Sequence, residues 1–304
     1  MIIKFEEVVQ YLKDIRTGKI KEGEKLGVPL IDQYLRFKKS NFNVILGHAN
    51  VGKTTVILYL MLAYSRRNKT RWLIYSSENE SHSILRKLVE FMDLNPINRI
   101  SEVNFDEHLV FINDHFKIID SSNLYNYRSL LSLAKTIKEA WNYNGMLIDP
   151  YNSLIKDPKI MSELGGHEYD YQATTEFRLF CKEHEVSLWL NTHANTQALR
   201  IKHPLGHEYV GHPIPPLASD VEGGGKFVNR ADDFLVIHRY IQHPTDWTQS
   251  HIHIRKVKEV ETGGRPTPID NPIKMKSIPN NVGFEVEGKK IIDEPLKDDK
   301  NVPF

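Results

Sequence analysis

The stretch that decides the fold is Gly47-His-Ala-Asn-Val-Gly-Lys-Thr54. It matches the phosphate-binding loop (P-loop) pattern Gly-x4-Gly-Lys-Thr, in which backbone N–H groups and a helix N-terminus face phosphate oxygens. Lys53 supplies an ammonium for the β- and γ-phosphates, and the Thr54 hydroxyl is placed to ligate Mg2+. The pattern predicts nucleotide contacts from Gly47, Asn50, Val51, Gly52, Lys53, Thr54 and Thr55.

The segments around this loop have the periodicity of an α/β protein. An apolar run at 42–46 precedes the loop as a buried parallel strand should, and an apolar segment of helix length follows it at 55–63. Further strands are predicted at 71–76, 117–120, 145–149, 186–193, 234–239, 251–257 and 283–286. Helices are predicted from 83, over 127–141 and over 169–184, the last after a loop at 165–166. We therefore expect a mainly parallel twisted sheet flanked by helices, with antiparallel edge strands at the C-terminal end.

Composition limits the classes of protein to which the chain can belong. Its 304 residues, 40% of them apolar, suit one large α/β domain with short extensions. A formal net charge of +1 excludes a basic coat, so any nucleic-acid contact must be local. The single cysteine, Cys181, excludes a disulfide framework and is expected to be a buried structural thiol. Without a signal peptide or an apolar run of membrane length, we expect a cytoplasmic protein with no membrane partner.

Hydrolysis of a nucleotide needs further polar groups near the P-loop. Asp149 ends an apolar strand, where a carboxylate can complete the Mg2+ shell, although a turn aspartate is the alternative. Glu78 is the candidate base that orients the attacking water, because its strand is expected to lie beside the P-loop strand. Glu80 is its rival, and a surface carboxylate is the other interpretation. His193 ends another strand and is a candidate γ-phosphate sensor or, alternatively, a satisfied core histidine.

The two ends of the chain differ from its centre. Residues 3–16 repeat apolar side chains at helical spacing, and 17–25 is polar and resembles a linker. Such a helix must bury its apolar stripe in its own domain or on a neighbouring subunit. We predict an N-terminal linker helix at 1–24 for subunit packing, a core at 25–279, and a charged C-terminal tail at 280–304 with weak order after its short strand.

Several motifs occur together and in one order. They lie at 47–55 (the P-loop), 75–80 (Tyr-Ser-Ser-Glu-Asn-Glu), 147–154 (Leu-Ile-Asp-Pro-Tyr-Asn-Ser-Leu), 191–193 (Asn-Thr-His) and 220–232 with 237–239 (Asp-Val-Glu-Gly-Gly-Gly-Lys to Ile-His-Arg). As an ordered set covering about residues 25–275, they resemble the RecA-like ATPase domain of DnaB-like replicative helicases. The resemblance is strongest to the Twinkle and phage primase–helicase branch.

This resemblance implies a ring, usually a hexamer, that encircles single-stranded DNA and binds ATP with Mg2+ between subunits. It further implies that Glu78 is the catalytic glutamate, His193 the γ-phosphate sensor and Arg239 a residue lying against the nucleotide base. A flexible, glycine-rich loop would carry the DNA contacts, for which an ordinary hairpin turn is the alternative. The residues implied there are Gly223, Gly224, Gly225, Lys226, Asn229 and Arg230.

The chain departs from the family pattern in two respects. The family's trans-acting Lys-x-Arg element here reads Lys256-Val-Lys258, and a lysine lacks the bidentate fork of arginine. Lys256, Lys258, Arg255 and Arg265 are therefore all candidates for the residue that acts across the interface, and an edge of surface lysines is the alternative. About 25 residues precede the core, too few for a primase domain, so a primase or loader would be a separate partner.

Three functions remain open at this stage. An ATP-driven helicase on single-stranded DNA is favoured by the ordered motifs. A RecA-like recombinase filament is the alternative that the Lys256–Lys258 pair favours, and an ATP-gated helicase loader or scaffold is the third. A structural metal is not expected, because the spacing of the remaining histidines matches no zinc template. These histidines are His203, His207, His212, His238, His243, His251 and His253.

Overall fold

The structure, a computed structural model, describes residues 4–18 and 22–292. Its α-helices are α1 (Phe5–Arg16), α2 (Pro29–Asp32), α3 (Lys53–Asn68), α4 (Ser81–Asp93), α5 (Glu102–His115), α6 (Tyr127–Ala140), α7 (Pro158–His184) and α8 (Lys226–Arg230). Its strands are β1 (Phe42–Gly47), β2 (Trp72–Ser76), β3 (Phe116–Ile118), β4 (Gly145–Asp149), β5 (Ser187–His193), β6 (Asp233–His238), β7 (Gln249–Val257), β8 (Ile273–Ser277), β9 (Phe284–Val286) and β10 (Lys289–Lys290).

All ten of these strands form one sheet, in the order β10-β9-β8-β7-β6-β1-β5-β4-β2-β3. The strands from β6 to β3 pair in parallel, whereas β7 to β10 continue the sheet as antiparallel neighbours. The predicted parallel sheet with an antiparallel C-terminal edge is thus confirmed. This edge is wider than predicted, because the sequence pattern does not reveal β8, with which β9 pairs.

The position of β2 corrects one expectation. The strand before Glu78 is expected beside the P-loop strand β1, but β5 and β4 lie between β1 and β2. A helical crossover returns a strand parallel to the sheet without requiring that the new strand pair with the preceding one. Glu78 therefore approaches the P-loop along the carboxyl edge of the sheet rather than from an adjacent strand.

A separate apolar core covers each face of the sheet. On one face, α3 and α4 pack on the strands around Trp72, whose ring contacts Phe37 edge-on at a centroid distance of 5.3 Å. On the other face, α6 and α7 enclose a second cluster that includes Phe177 and the buried thiol of Cys181. Burial on both faces explains why the central strands read as continuous apolar runs rather than alternating ones.

Four helices differ from the sequence prediction. The short helices α2 and α8 are not predicted, and α8 holds Lys226, Asn229 and Arg230, which are expected in a flexible glycine-rich loop. Helix α5 is not predicted, because its apolar side chains do not form a clear stripe and Val103 and Val110 are exposed. Helix α7 begins at Pro158, capped by the Asp157 carboxylate, rather than after the predicted loop. That loop is reduced to a break at Gly165, whose φ of 74° interrupts the helix without ending it.

The ends of the described chain behave differently from each other. Phe5, Leu12 and other members of the apolar stripe of α1 are exposed. The described part of the tail belongs to the core instead, because Phe284 and Val286 are buried against α3 and its neighbours. Residues 293–304, for which weak order is predicted, lie outside the described residues. No helix in the described part of the chain is long and apolar enough to cross a membrane.

Candidate nucleotide site

The P-loop connects β1 to α3 at the carboxyl edge of the sheet. Asn50 and Gly52 both have positive φ angles, 62° and 84°, which turn the backbone tightly before the helix. A Cβ atom on Gly47 would lie 2.4 Å from the carbonyl oxygen of Ile237, so only glycine fits between β1 and β6 here. The predicted strand, loop and helix are present with the geometry the motif requires.

Lys53 is buried beneath this loop. Its ammonium donates to the carbonyl oxygens of Gly47 at 3.0 Å and His48 at 2.8 Å. Burial lowers the pKa of Lys53 to about 8, against the opposing influence of the Asp149 and Glu78 carboxylates. Neutral dipoles rather than a carboxylate thus hold the charge, which favours the arrival of an anion.

Asp149 ends β4 and faces the start of α3. Its carboxylate accepts a hydrogen bond from the Thr54 hydroxyl at 2.8 Å and another from the side-chain amide of Asn191. The side chain of Asp149 is fully buried, and burial raises its pKa despite these hydrogen bonds. The pair predicted to hold Mg2+, Thr54 and Asp149, is thus in direct contact.

His193 links the P-loop lysine to Glu78. Its Nδ1 lies 3.4 Å from the Lys53 ammonium and its Nε2 lies 3.2 Å from the Glu78 carboxylate. Because a carboxylate only accepts and an ammonium only donates, the imidazole carries its proton on Nε2 in this arrangement. The rival carboxylate, Glu80, is exposed and pairs with His82 at 3.1 Å. The geometry therefore favours Glu78 over Glu80.

Arg239 follows β6 and reaches the P-loop from the side. A Cβ on Gly52 would meet its guanidinium at 3.7 Å. A cavity of about 190 Å3 lies beside it, lined by Arg239, His48, Val51 and Tyr240 among others. Apolar and aromatic walls next to a P-loop suit a nucleotide base, and the resemblance implies the same role for Arg239.

The glycine-rich segment departs from its expected role at one residue. Gly223, Gly225 and Asn229 are exposed, but Lys226 is only 6% exposed. Its ammonium lies 3.4 Å from the Asp170 carboxylate and donates to a backbone carbonyl of α7. In this conformation Lys226 is bound internally, and the predicted DNA contact would require that ion pair to break.

The four candidates for a trans-acting residue are also separated by their contacts. Lys256 donates to three backbone carbonyls at the end of α8, the shortest at 2.6 Å, and thus has a role within its own chain. Arg265 lies over the ring of Tyr34, and Arg255 lines a cavity beside His251 and His253 rather than a surface. Lys258 is 43% exposed and lies 3.5 Å from Asp232. Arg265 is exposed as well but also donates to the side chain of Gln33 at 3.1 Å, so Lys258 is the exposed candidate with the longer polar contact.

Several histidines between 203 and 253 join tyrosines in an aromatic cluster. Tyr209 and Tyr240 stack at 3.7 Å above β7, and burial lowers the pKa of His251 to about 4 and of His253 to about 2. Among the residues that the structure describes, no group of three or more His, Cys, Asp or Glu side chains could hold a metal ion. The cluster packs the loop at 203–217 onto the antiparallel edge of the sheet.

Sequence reasoning missed three asparagines at this edge. Asn191 contacts Asp149, and Asn79 donates to the same carboxylate at 3.5 Å. Asn152 lies between β4 and β5 and bonds to the backbone of His193 at 3.2 Å. All three stand within three residues of the carboxyl end of a predicted parallel strand, which is the signal that could have found them.

Comparison with known proteins agrees with this architecture. No protein-family model matches the sequence, and no curated protein matches it. One solved structure of an ATPase domain is similar to this chain, with a TM-score of 0.72 at 15% sequence identity, covering 92% of this chain and 96% of that one. The chain therefore has a RecA-like fold.

Two other solved structures share this RecA-like fold. A DnaB-like replicative helicase, solved for its interactions with primase, has a TM-score of 0.71 at 16% identity over 93% of this chain and 67% of its own. A KaiC-like protein from Pyrococcus horikoshii has a TM-score of 0.54 at 14% identity, covering 88% of this chain and 97% of that one. The ATPase domain and the DnaB-like helicase are thus more similar to this chain than the KaiC-like protein is.

Proposed function

We propose that the chain is an ATP-driven helicase or translocase that moves on single-stranded DNA. One observation carries the proposal: residues that follow or end four strands meet at one edge of the sheet in two polar groups. Thr54 contacts Asp149 at 2.8 Å, and His193 lies 3.4 Å from Lys53 and 3.2 Å from Glu78. These are the group types that nucleotide hydrolysis requires. The similarity to a DnaB-like replicative helicase supports the choice of helicase among RecA-like functions.

The residues present fit ATP with Mg2+. The Lys53 ammonium is buried and held by two backbone carbonyls of the loop, and the tight turn at Gly52 would allow backbone N–H groups to face a bound phosphate. Thr54 and Asp149 are the residues that would hold Mg2+, which supplies charge neutralisation for the phosphates. Arg239 and the cavity beside it would receive the base.

Glu78 is the group we assign to activation of water. Its carboxylate is half exposed and is oriented by the Nε2 proton of His193, so it can accept a proton from a water molecule at the open side of the site. His193 in turn senses the phosphate through Lys53. Loss of the terminal phosphate would change the partners of Lys53 and, through it, the position of His193.

The DNA role of the glycine-rich segment is supported by its attachment to β5. The backbone N–H of Glu222 donates to the carbonyl of His193 at 3.0 Å, and that of Asn195 donates to the carbonyl of Asp220 at 2.8 Å. The segment 223–225 therefore begins directly at the sensor strand. Its exposed glycines allow close approach of a sugar-phosphate backbone, with Asn229 and Arg230 as further contacts.

Two exposed features support the proposal that the chain forms oligomers. The apolar stripe of α1, with Phe5 75% and Leu12 57% exposed, has the form of a helix that packs on another subunit. Lys258 is at the opposite edge of the sheet from the P-loop, where it can serve a neighbouring subunit's nucleotide. We propose a ring, hexameric as in the family it resembles, with a separate primase or loader as its partner.

The recombinase alternative loses its specific support. It rests on Lys256 and Lys258 acting as a pair across the interface, but Lys256 is bound to three carbonyls of its own chain. A single exposed lysine does not favour a filament over a ring. We therefore do not propose strand exchange.

The proposal is tested with a forked DNA duplex, ATP and particle imaging of the same sample. We expect closed rings, DNA-stimulated ATP hydrolysis and strand separation. Lys53→Ala should reduce turnover at least ~100-fold, as loss of a charged transition-state contact does, whereas Lys135→Ala, an exposed lysine on α6, should not change it. Full activity of Lys53→Ala would refute the site, and hydrolysis without DNA stimulation or unwinding would favour a loader or scaffold.

A further inference from the structure

Asn152 occupies a position between the nucleotide site and the glycine-rich segment. It belongs to the short 3-10 turn Tyr151–Ser153, which closely follows Asp149. The preceding residue of this turn, Tyr151, is anchored, because its hydroxyl donates to the buried carboxylate of Asp170 at 2.7 Å. Asn152 thus projects from a rigid support.

The side chain of Asn152 uses both ends of its amide. The oxygen accepts from the Thr192 hydroxyl at 3.1 Å and from the backbone N–H of His193 at 3.2 Å. The nitrogen donates to the Glu222 carboxylate at 2.9 Å. An amide is suited to this position, because it offers an acceptor to one element and a donor to the other.

Two elements with separate roles therefore meet at one side chain. His193 contacts Lys53 and Glu78, so its position depends on what occupies the phosphate site. Glu222 precedes the exposed Gly223 and is bonded to β5 by its backbone as well. A shift of His193 by a fraction of an ångström changes the hydrogen bond that the Asn152 amide oxygen accepts. Because the amide group is planar and its turn is anchored, that change also alters the hydrogen bond from the amide nitrogen to Glu222.

We propose that Asn152 is a positioning residue that couples the phosphate sensor to the DNA-binding segment. The inference rests on the proposed function and extends it by naming the connecting side chain. Asn152 acts through His193 and Glu222 and touches no reacting atom. Without it, hydrolysis continues but responds much less to DNA.

The orientation of the amide supplies a specific test. Asn152→Asp keeps an acceptor for Thr192 and His193 but sets a carboxylate against Glu222, which breaks that contact by charge repulsion. Glu222→Gln alone keeps an acceptor for the Asn152 amide and is the matched control. In the double variant Asn152→Asp/Glu222→Gln, the introduced amide donates to the introduced carboxylate, so the contact returns with its donor and acceptor exchanged.

The measurement is ATP turnover with and without a single-stranded oligonucleotide, using protein whose folding is verified by circular dichroism. For Asn152→Asp, we expect the ratio of stimulated to basal turnover to fall about tenfold, within the range of typical coupling effects. The double variant should recover most of that ratio, and Glu222→Gln alone should retain it. Asn113→Asp, on the exposed surface of α5, controls for the added charge.

The outcomes separate the inference from the function on which it rests. Recovery by the double variant, which a merely structural role does not predict, supports the coupling. If wild-type protein is stimulated by DNA and Asn152→Asp is equally stimulated, or the double variant fails to recover, the coupling role is wrong while the helicase proposal stands. If the wild-type protein is not stimulated, both fail.

Discussion

Charged side chains have different kinds of partner at the two ends of the parallel strands. At the carboxyl end of the parallel strands, neutral groups hold the charged side chains: backbone carbonyls for Lys53, and a hydroxyl and an amide for Asp149. At the other end, ion pairs neutralise them. Asp232 there pairs with Arg178 at 2.9 Å and lies 3.5 Å from Lys258.

The difference distinguishes a site from a structural cluster. A charged group whose partners are neutral dipoles is shielded from water but is not neutralised, so it still attracts a ligand of opposite charge. A charge held by its opposite has little field left, and its role is to secure the fold. Lys258 lies between these cases, because Arg178 already neutralises much of the charge on Asp232.

The largest effect that the comparison predicts is at the carboxyl end. Glu78→Gln keeps the size of the side chain and removes the base, so we expect ATP turnover in the presence of DNA to fall about 100-fold with nucleotide affinity retained. Glu80→Gln is the matched control, since this carboxylate pairs with exposed His82 instead. Single-turnover assays and calorimetry separate the rate from the affinity. Equal losses from both variants would contradict the assignment of Glu78.

A smaller effect is expected at the opposite end. Lys258→Ala should lower turnover of the assembled protein about tenfold while nucleotide binding is retained, because one trans-acting charge is lost from the transition state. Lys276→Ala is the control, as Lys276, on β8, is also an exposed lysine 3.5 Å from a carboxylate. Mixing Lys258→Ala with Lys53→Ala subunits should give more activity than the two variants show separately, because Lys258 of one subunit would complete the site that holds Lys53 of the other. No gain on mixing would mean that Lys258 acts only within its own subunit.

The smallest effect concerns the protonation of Lys53. Its pKa of about 8 without nucleotide would rise when phosphate binds, so binding takes up a proton above pH 8. Affinity should therefore be full well below pH 8 and should fall as the pH rises through 8, by about eightfold between about pH 7.5 and 9. Fluorescent-nucleotide titration measures this, and the residual affinity of Lys53→Ala should be independent of pH in the same interval. A flat wild-type profile would show that the lysine stays protonated in the free protein.

The sequence was sufficient for the elements that rest on local pattern. The P-loop, the strand and helix on either side of it and the carboxylate at the end of β4 each follow from a few consecutive residues. Contacts between distant residues were harder to infer. The position of β2 in the sheet differs from the expected one, because a helical crossover does not determine which strand the returning strand pairs with.

The contacts of the lysines in two motifs also could not be predicted from the sequence pattern. Lys226 reads as a free cation in a glycine-rich loop, and only the fold brings it to Asp170 on α7. Lys256 and Lys258 look equivalent in the sequence, yet Lys256 lies within β7 and meets the carbonyls of α8, whereas Lys258 follows the end of the strand and is open to solvent. Burial and partner choice in these cases are properties of tertiary structure.

The tight packing at Gly47 gives this glycine a second role besides phosphate binding. The carbonyl of Ile237 leaves no room for a methyl group at this position, quite apart from any phosphate. Glycine is therefore demanded by assembly of the polypeptide itself, before any ligand is encountered. The first glycine of the motif is therefore required by the packing of β1 against β6, whether or not a phosphate is bound.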